Sequence, residues 1–164
     1  VILGYSYTKR FTALCHLVLG LGLSLAPIGA FLAVSAQFSL MPVLFSASVL
    51  FWVAGFDIIY SLQDDKFDSA HQLHSIPVAL GRKNALLLSR FLHILTATSL
   101  FYVGQLLETQ YLYWIGFKLF SLLLIYQHSL VSEKNLSKVN IAFFTTNGIA
   151  SIIFGVFVIL ELLF

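Results

Sequence analysis

Charge is what this sequence has least of. Of its 164 residues only 10% are Asp, Glu, Lys or Arg, against 59% hydrophobic and 15% aromatic. A water-soluble domain carries about 25% charged residues, so a soluble fold is excluded, and disorder, which needs low hydrophobicity, is excluded with it. Cysteine is nearly absent. Cys15 alone rules out an intrachain disulfide framework and a cysteine zinc cluster. A formal net charge of +2 is too small to point to nucleic acid as a partner. There is no Ser/His/Asp signature, no nucleotide-binding glycine loop and no HExxH stretch, which leaves hydrolytic and nucleotide-driven chemistry without support. The chain opens on Val1 rather than Met, and Lys9-Arg10 precede an apolar run too long for a signal peptide. The expectation is a fragment that begins within a longer protein.

What the sequence has in abundance is long apolar runs. From Phe11 to Phe56 there is no charged residue. As one helix this run would reach roughly 69 Å at about 1.5 Å per residue, over twice a hydrocarbon core of about 30 Å. It must turn back once, and Gln37-Phe38-Ser39 with Pro42 is the place, since Pro suits a first helical turn. Spans are therefore expected near 11–35 and 41–60. A polar stretch, 61–83, separates them from three more spans, near 84–107, 111–131 and 140–162. The expected fold is all-α: one membrane-embedded domain over 1–164, a polytopic bundle of five helices in a lipid bilayer.

Basic residues support that count. Lys9, Arg10, Lys66, Arg82, Lys83, Lys134 and Lys138 fall on one side of five alternating spans, and the opposite connections hold no Lys or Arg. Positive charge collects on the cytoplasmic face, so the N-terminus and both polar loops of a multi-pass membrane protein are expected there. Lys118, inside the fourth span, must snorkel or pair.

The chemistry-bearing segment is Asp57-Ile58-Ile59-Tyr60-Ser61-Leu62-Gln63-Asp64-Asp65-Lys66-Phe67-Asp68. Asp57, Tyr60, Asp64 and Asp68, at i, i+3, i+7 and i+11, share one face of a continuous helix. Stacked carboxylates repel by some tenths of a kcal/mol per pair, and a divalent cation compensates; Mg²⁺ typically takes one or two carboxylates plus phosphate oxygens and water. For Asp65 and Lys66 a solvated loop explains the pattern equally well. Asp57 is different, because a carboxylate directly after Phe51-Trp52-Val53-Ala54-Gly55-Phe56 should face a polar cavity or a partner. An anionic ligand then needs cations on the same side. Lys9 is the better candidate for a diphosphate clamp, while Arg10 and Arg82 fit a clamp or plain interfacial anchoring equally. His71 and His74 read as loop histidines bonded to diphosphate or backbone. His16, His93 and His128, in separate spans, read as interhelical hydrogen-bonding residues.

In this order and on this side, the motifs resemble those of the UbiA superfamily of intramembrane aromatic prenyltransferases, nearest its 4-hydroxybenzoate polyprenyltransferase branch. Tyr5-Ser6-Tyr7-Thr8-Lys9-Arg10 is similar to the family's Y-x-x-x-K stretch, with Ser6 where that branch often has proline. The Asp57–Asp68 segment resembles the second aspartate-rich motif, and His74-Ser75-Ile76-Pro77-Val78-Ala79-Leu80-Gly81 is similar to the pattern that branch carries after it. The likeness spans the chain, as the last five of nine helices; the family's first aspartate-rich motif is missing, so the isolated fragment is expected to be inactive. The resemblance implies Asp64 and Asp68 as Mg²⁺ ligands, Asp57 lining the same cavity, and Lys9 with Tyr5, Arg10, His74 and Arg82 toward the diphosphate. It implies a transferase that moves a polyprenyl group from polyprenyl diphosphate to an aromatic acid such as 4-hydroxybenzoate in ubiquinone or menaquinone biosynthesis. Metal and Lys9 would neutralise the departing diphosphate, an electron-rich ring carbon would attack the allylic cation, and a proton would be lost. Tyr60 then either faces the cation or packs.

Two other readings compete. A CDP-alcohol phosphotransferase would need a D-G-x-x-A-R element, which is not present. An ion-coupled membrane transporter or non-catalytic helical membrane subunit could also carry intramembrane acids, but would be supported by repeated discontinuous helices, and no internal repeat is visible.

Overall fold

The computed structural model describes residues 5–164, and among these every regular element is helical. A single-turn α1 (Tyr5–Thr8) leads into α2 (Cys15–Ser35), which pairs antiparallel with α3 (Leu40–Ser61). The reversal falls at the polar break expected from the sequence. Ala36 takes a left-handed conformation (φ 53°) and its N–H closes on Leu32 O, a common helix stop, while Pro42 sits in the first turn of α3, where its missing N–H costs nothing. A short α4 (Asp65–Ala70) comes next, then the long α5 (Ile76–Leu106), α6 (Tyr111–Ser129), and a π-helical turn, Ile141–Thr146, that runs into α7 (Asn147–Leu163).

All five long helices anticipated from the apolar runs are present, with altered limits. The first starts at Cys15 rather than 11, because turn bonds from Arg10, Phe11 and Thr12 back to Tyr7 and Thr8 occupy that backbone. The third begins at Ile76 rather than 84 and is broken at Gly81, whose φ of 76° is a conformation that glycine adopts without penalty. Among the described residues, four segments are long and apolar enough to cross a membrane: Cys15–Ser35, Leu40–Ser61, Ile76–Leu106 and Ile141–Leu163. The helix α6 is not among them; Lys118 and Gln127 dilute its apolar character, and it owes its place to packing.

In lipid, apolar side chains gain nothing by leaving their solvent, so helices must be held by close fit and hydrogen bonds. That is what surrounds α3, whose Ala54, Ile58 and Ile59 are fully buried. A Cβ at Gly20 would come within 2.5 Å of Leu50 O, so glycine is what lets α2 approach α3. From α5, Ser89 Oγ donates to Gly55 O at 2.6 Å and Thr96 Oγ1 reaches Ser48 O at 3.4 Å. His93 bonds Trp52 O through Nε2 (3.3 Å) and His128 of α6 through Nδ1 (2.9 Å). At the far end, the Glu161 carboxylate on α7 accepts the N–H groups of Gln110 and Tyr113 (the latter at 3.1 Å). It thereby satisfies donors that the first turn of α6 leaves without partners.

Candidate active site

The acidic segment does not form one helix. The helix α3 ends at Ser61, its last turn tightened by bonds from Leu62 to Ile59 O and from Gln63 to Tyr60 O, and α4 starts afresh at Asp65 with Asp64 in the capping position. The expectation of four residues stacked on one continuous face is corrected accordingly. Breaking the helix relieves the repulsion that stacking would impose and sends the acids to different partners.

A cavity of about 180 Å³ opens at this break, lined by Lys9, Cys15, His16, Asp57, Tyr60, Ser61 and Asp64. Asp57 Oδ2 lies 2.7 Å from His16 Nδ1. Lys9 Nζ stands 2.7 Å from Asp68 Oδ2, and the Asp68 side chain is 1% exposed, an ionised group that could be buried only with such a partner. The Asp64 carboxylate faces the cavity and makes no ion pair among the described residues. Tyr60 forms part of the wall and stacks on Phe143 at 4.2 Å between ring centroids; Phe56 and Phe144 flank Phe143 edge-on. Phe143 belongs to the π turn, a local widening of the helix that is frequent at functional sites.

The polar loop is tied to the lysine segment by backbone. His74 N–H donates to Lys9 O at 2.6 Å, and Cys15 Sγ lies 3.7 Å from His74 O. The His74 side chain itself is exposed. Arg10 is exposed and lies over the Tyr7 ring at 5.6 Å. Arg82 is engaged elsewhere: Nε and Nη2 grip Asp65 at 2.5 and 2.9 Å, and Nη1 reaches Glu133 O at 3.4 Å. This guanidinium beside Asp65 holds the Asp65 carboxyl below the usual carboxylate range. The side chain of Tyr5 lies outside the described residues. A larger cavity, about 520 Å³ along the α5–α6 seam, is lined by Arg90, His93, His128, two serines and apolar residues and touches none of the motif residues.

One site residue is not singled out by the motifs. The sequence marks His16 as an interhelical hydrogen-bonding residue, which it is, but it also lines the cavity. The signal is there: His16 is the second residue of α2 and Asp57 the fifth from the end of α3, so an antiparallel hairpin sets two ionisable groups level across from each other.

No group of three or more His, Cys, Asp or Glu residues that could hold a metal ion occurs among the described residues. The donors present suit an ion that needs less from protein. Asp64 offers a carboxylate without an ion partner among those residues and Asp68 a buried one matched by a single cation, which fits Mg²⁺ bound through one or two carboxylates and completed by phosphate and water.

Apolar helices around a small polar cavity, with carboxylates and a lysine at one end, define an integral membrane protein. Residues 1–149 match the UbiA prenyltransferase family, and the chain belongs to that family. It is 27% identical over 150 residues to a 4-hydroxybenzoate octaprenyltransferase of Edwardsiella ictaluri, covering 92% of this chain and 52% of that protein. A protein of the same description from Francisella tularensis is 29% identical over 157 residues, 94% of this chain and 54% of that one. Among solved structures, the apo structure of a UbiA homolog from Aeropyrum pernix superposes with a TM-score of 0.85 at 32% identity, over 98% of this chain and 60% of that one. The chain spans about half the length of the curated relatives it matches.

Proposed function

We propose that this chain forms the second half of an enzyme that transfers a polyprenyl group from polyprenyl diphosphate to an aromatic acid of the 4-hydroxybenzoate type, in quinone biosynthesis, with Mg²⁺ as cofactor. The observation that carries the reading is the Lys9–Asp68 pair beside the Asp64 carboxylate, which has no ion partner among the described residues. A buried ion pair alone is a poor source of stability, but a metal–diphosphate ligand matches it charge for charge. Asp68 can turn to the metal and Lys9 to a phosphate oxygen, so neither is left buried without a counter-charge. Asp64 and Asp68 would hold the ion, which when bound supplies Lewis-acid neutralisation of the diphosphate.

The remaining residues do the rest. Lys9 stabilises negative charge on the leaving oxygen as the allylic C–O bond breaks. Tyr60, on the cavity wall and backed by the stacked Phe143 ring, presents a ring face to an allylic cation. An electron-rich ring carbon of the acceptor takes the prenyl cation, and its proton passes to Asp57, which lies on the same cavity. Arg10 and His74 are exposed and do not line the cavity, so neither is given a diphosphate contact, while Arg82 fixes α4 to α5. By the distribution of Lys and Arg the cavity opens to the cytoplasmic side of a bacterial inner membrane. In membranes carrying the full-length protein, Mg²⁺-dependent prenylation of 4-hydroxybenzoate tests this directly. Activity that persists in Asp64→Asn and Asp68→Asn would remove the metal assignment.

A further inference from the structure

We infer that His16 is the positioning residue for Asp57, holding one carboxylate oxygen so that the other is presented to the aromatic acceptor. The inference rests on the prenyl-transfer reading above and assigns a role that this reading leaves open.

His16 is 2% exposed and bridges three elements. From the start of α2, Nδ1 meets Asp57 Oδ2 on α3 at 2.7 Å. On the other side of the ring, Nε2 lies 3.4 Å from the N–H of Ile76, the first residue of α5. That N–H is among those a helix start leaves without an intrahelical partner. A backbone N–H can only donate, so Nε2 accepts and Nδ1 carries the hydrogen. An imidazolium would also carry hydrogen on Nδ1. Both forms donate to Asp57, and only the opposite tautomer does not.

The consequence is directional. Asp57 is partly open, at 23% side-chain exposure, while His16 is sealed behind it. Oδ2 is committed to the imidazole, and the carboxylate is left with Oδ1 for a cavity ligand. Other charged and titratable groups on the cavity are Lys9, Cys15, Tyr60 and Asp64. Lys9 is drawn to Asp68, which leaves Asp57 as the acid held by a neighbour other than Lys9. In the transfer step the C–O bond pair leaves with diphosphate, the ring forms a C–C bond to the prenyl carbon, and the ring C–H pair returns to the ring as its proton goes to Asp57 Oδ1. A carboxylate free to swing would meet that proton in few of its orientations, and misplacement by about 1 Å can cost on the order of 100-fold.

The test compares His16→Asn, whose amide nitrogen stands where Nδ1 did, with His16→Leu, which keeps bulk and removes the donor. In the full-length protein, His16→Leu should lower kcat and raise the KM for the aromatic acid, together by roughly 10- to 100-fold in kcat/KM, with prenyl diphosphate affinity within about twofold of wild type. His16→Asn should recover most of the loss. Equal losses toward both substrates, or no loss, would overturn the inference. A readout without turnover is ¹⁵N NMR of labelled histidine: His16 should carry hydrogen on Nδ1 and its signal should move in Asp57→Asn. A bare Nδ1 overturns the inference. Wild-type protein inert toward every aromatic acid sinks the activity itself; active wild type with an indifferent His16→Leu sinks only the role of His16.

Discussion

Asp65 and Asp68 are neighbours on the same short helix, and the protein uses them in opposite ways. Asp65 points outward, gripped by two of the three guanidinium nitrogens of Arg82, and clamps α4 to α5 at a place where water reaches both partners. Asp68 points inward, 1% exposed, against one ammonium beside a cavity. The outer pair is complete as it stands: a bidentate guanidinium fills the carboxylate and neither group needs another ligand. The inner pair satisfies one oxygen with one point charge and lies next to Asp64, which has no ion partner among the described residues. Acids in one turn thus separate into a two-pronged clamp and a buried pair with a single cation, and partner geometry makes the difference.

The comparison can be broken from the inner side first, where effects should be largest. Asp68→Asn or Asp64→Asn in the full-length protein should lower prenyl transfer by at least about 100-fold, since an electrostatic contact at a developing charge is commonly worth that much; near-normal turnover would put these acids back among ordinary loop residues. Next comes Lys9→Ala. It should raise the KM for prenyl diphosphate about tenfold or more while moving that for the aromatic acid little, and it leaves Asp68 buried without a counter-charge, so thermal stability should also fall.

The outer pair should respond more weakly. Arg82→Gln is expected to cost about 0.2–1 kcal/mol, the range for an ion pair that water reaches, read as a shift in thermal unfolding with diphosphate affinity unchanged. Its pH dependence has a definite sign. The Asp65 carboxyl is held below its ordinary value by Arg82, so the clamp is fully present above about pH 4 and is lost as pH falls from there through the depressed value. Arg82→Gln should therefore flatten the acid limb of the stability profile; an unaltered limb would show that Asp65 carries no such linkage. A loss of diphosphate affinity in Arg82→Gln as large as that in Lys9→Ala would erase the distinction between the pairs.

Much of the architecture was legible because a bilayer constrains a chain so tightly. The charge-free run from Phe11 to Phe56 had to contain one reversal, and Pro42 and the polar break marked it. Other features were hidden for identifiable reasons. The end of α3 at Ser61 carries no proline or glycine, so no local signal in the sequence marks it. The partnership of Arg82 with Asp65 depends on the turn at Gly81, which aims α5, and sequence spacing cannot supply that direction. Phe143 lies far along the chain from Tyr60 and carries no motif of its own, so its place against Tyr60 could be seen only once the last helix was packed. His16 was within reach, and reading depth along α2 and α3 together would have found it opposite Asp57.

Calorimetric binding of a non-hydrolysable prenyl diphosphate to the full-length protein bears most directly on the whole account. With Mg²⁺ present, wild type should bind it; chelating the ion, or replacing Asp64 and Asp68 by Asn, should weaken binding by an order of magnitude or more, and Arg82→Gln should leave it unchanged. Equal affinity with and without the ion, in wild type and in the double variant alike, would contradict the claim that this cavity exists to hold a metal-bound diphosphate.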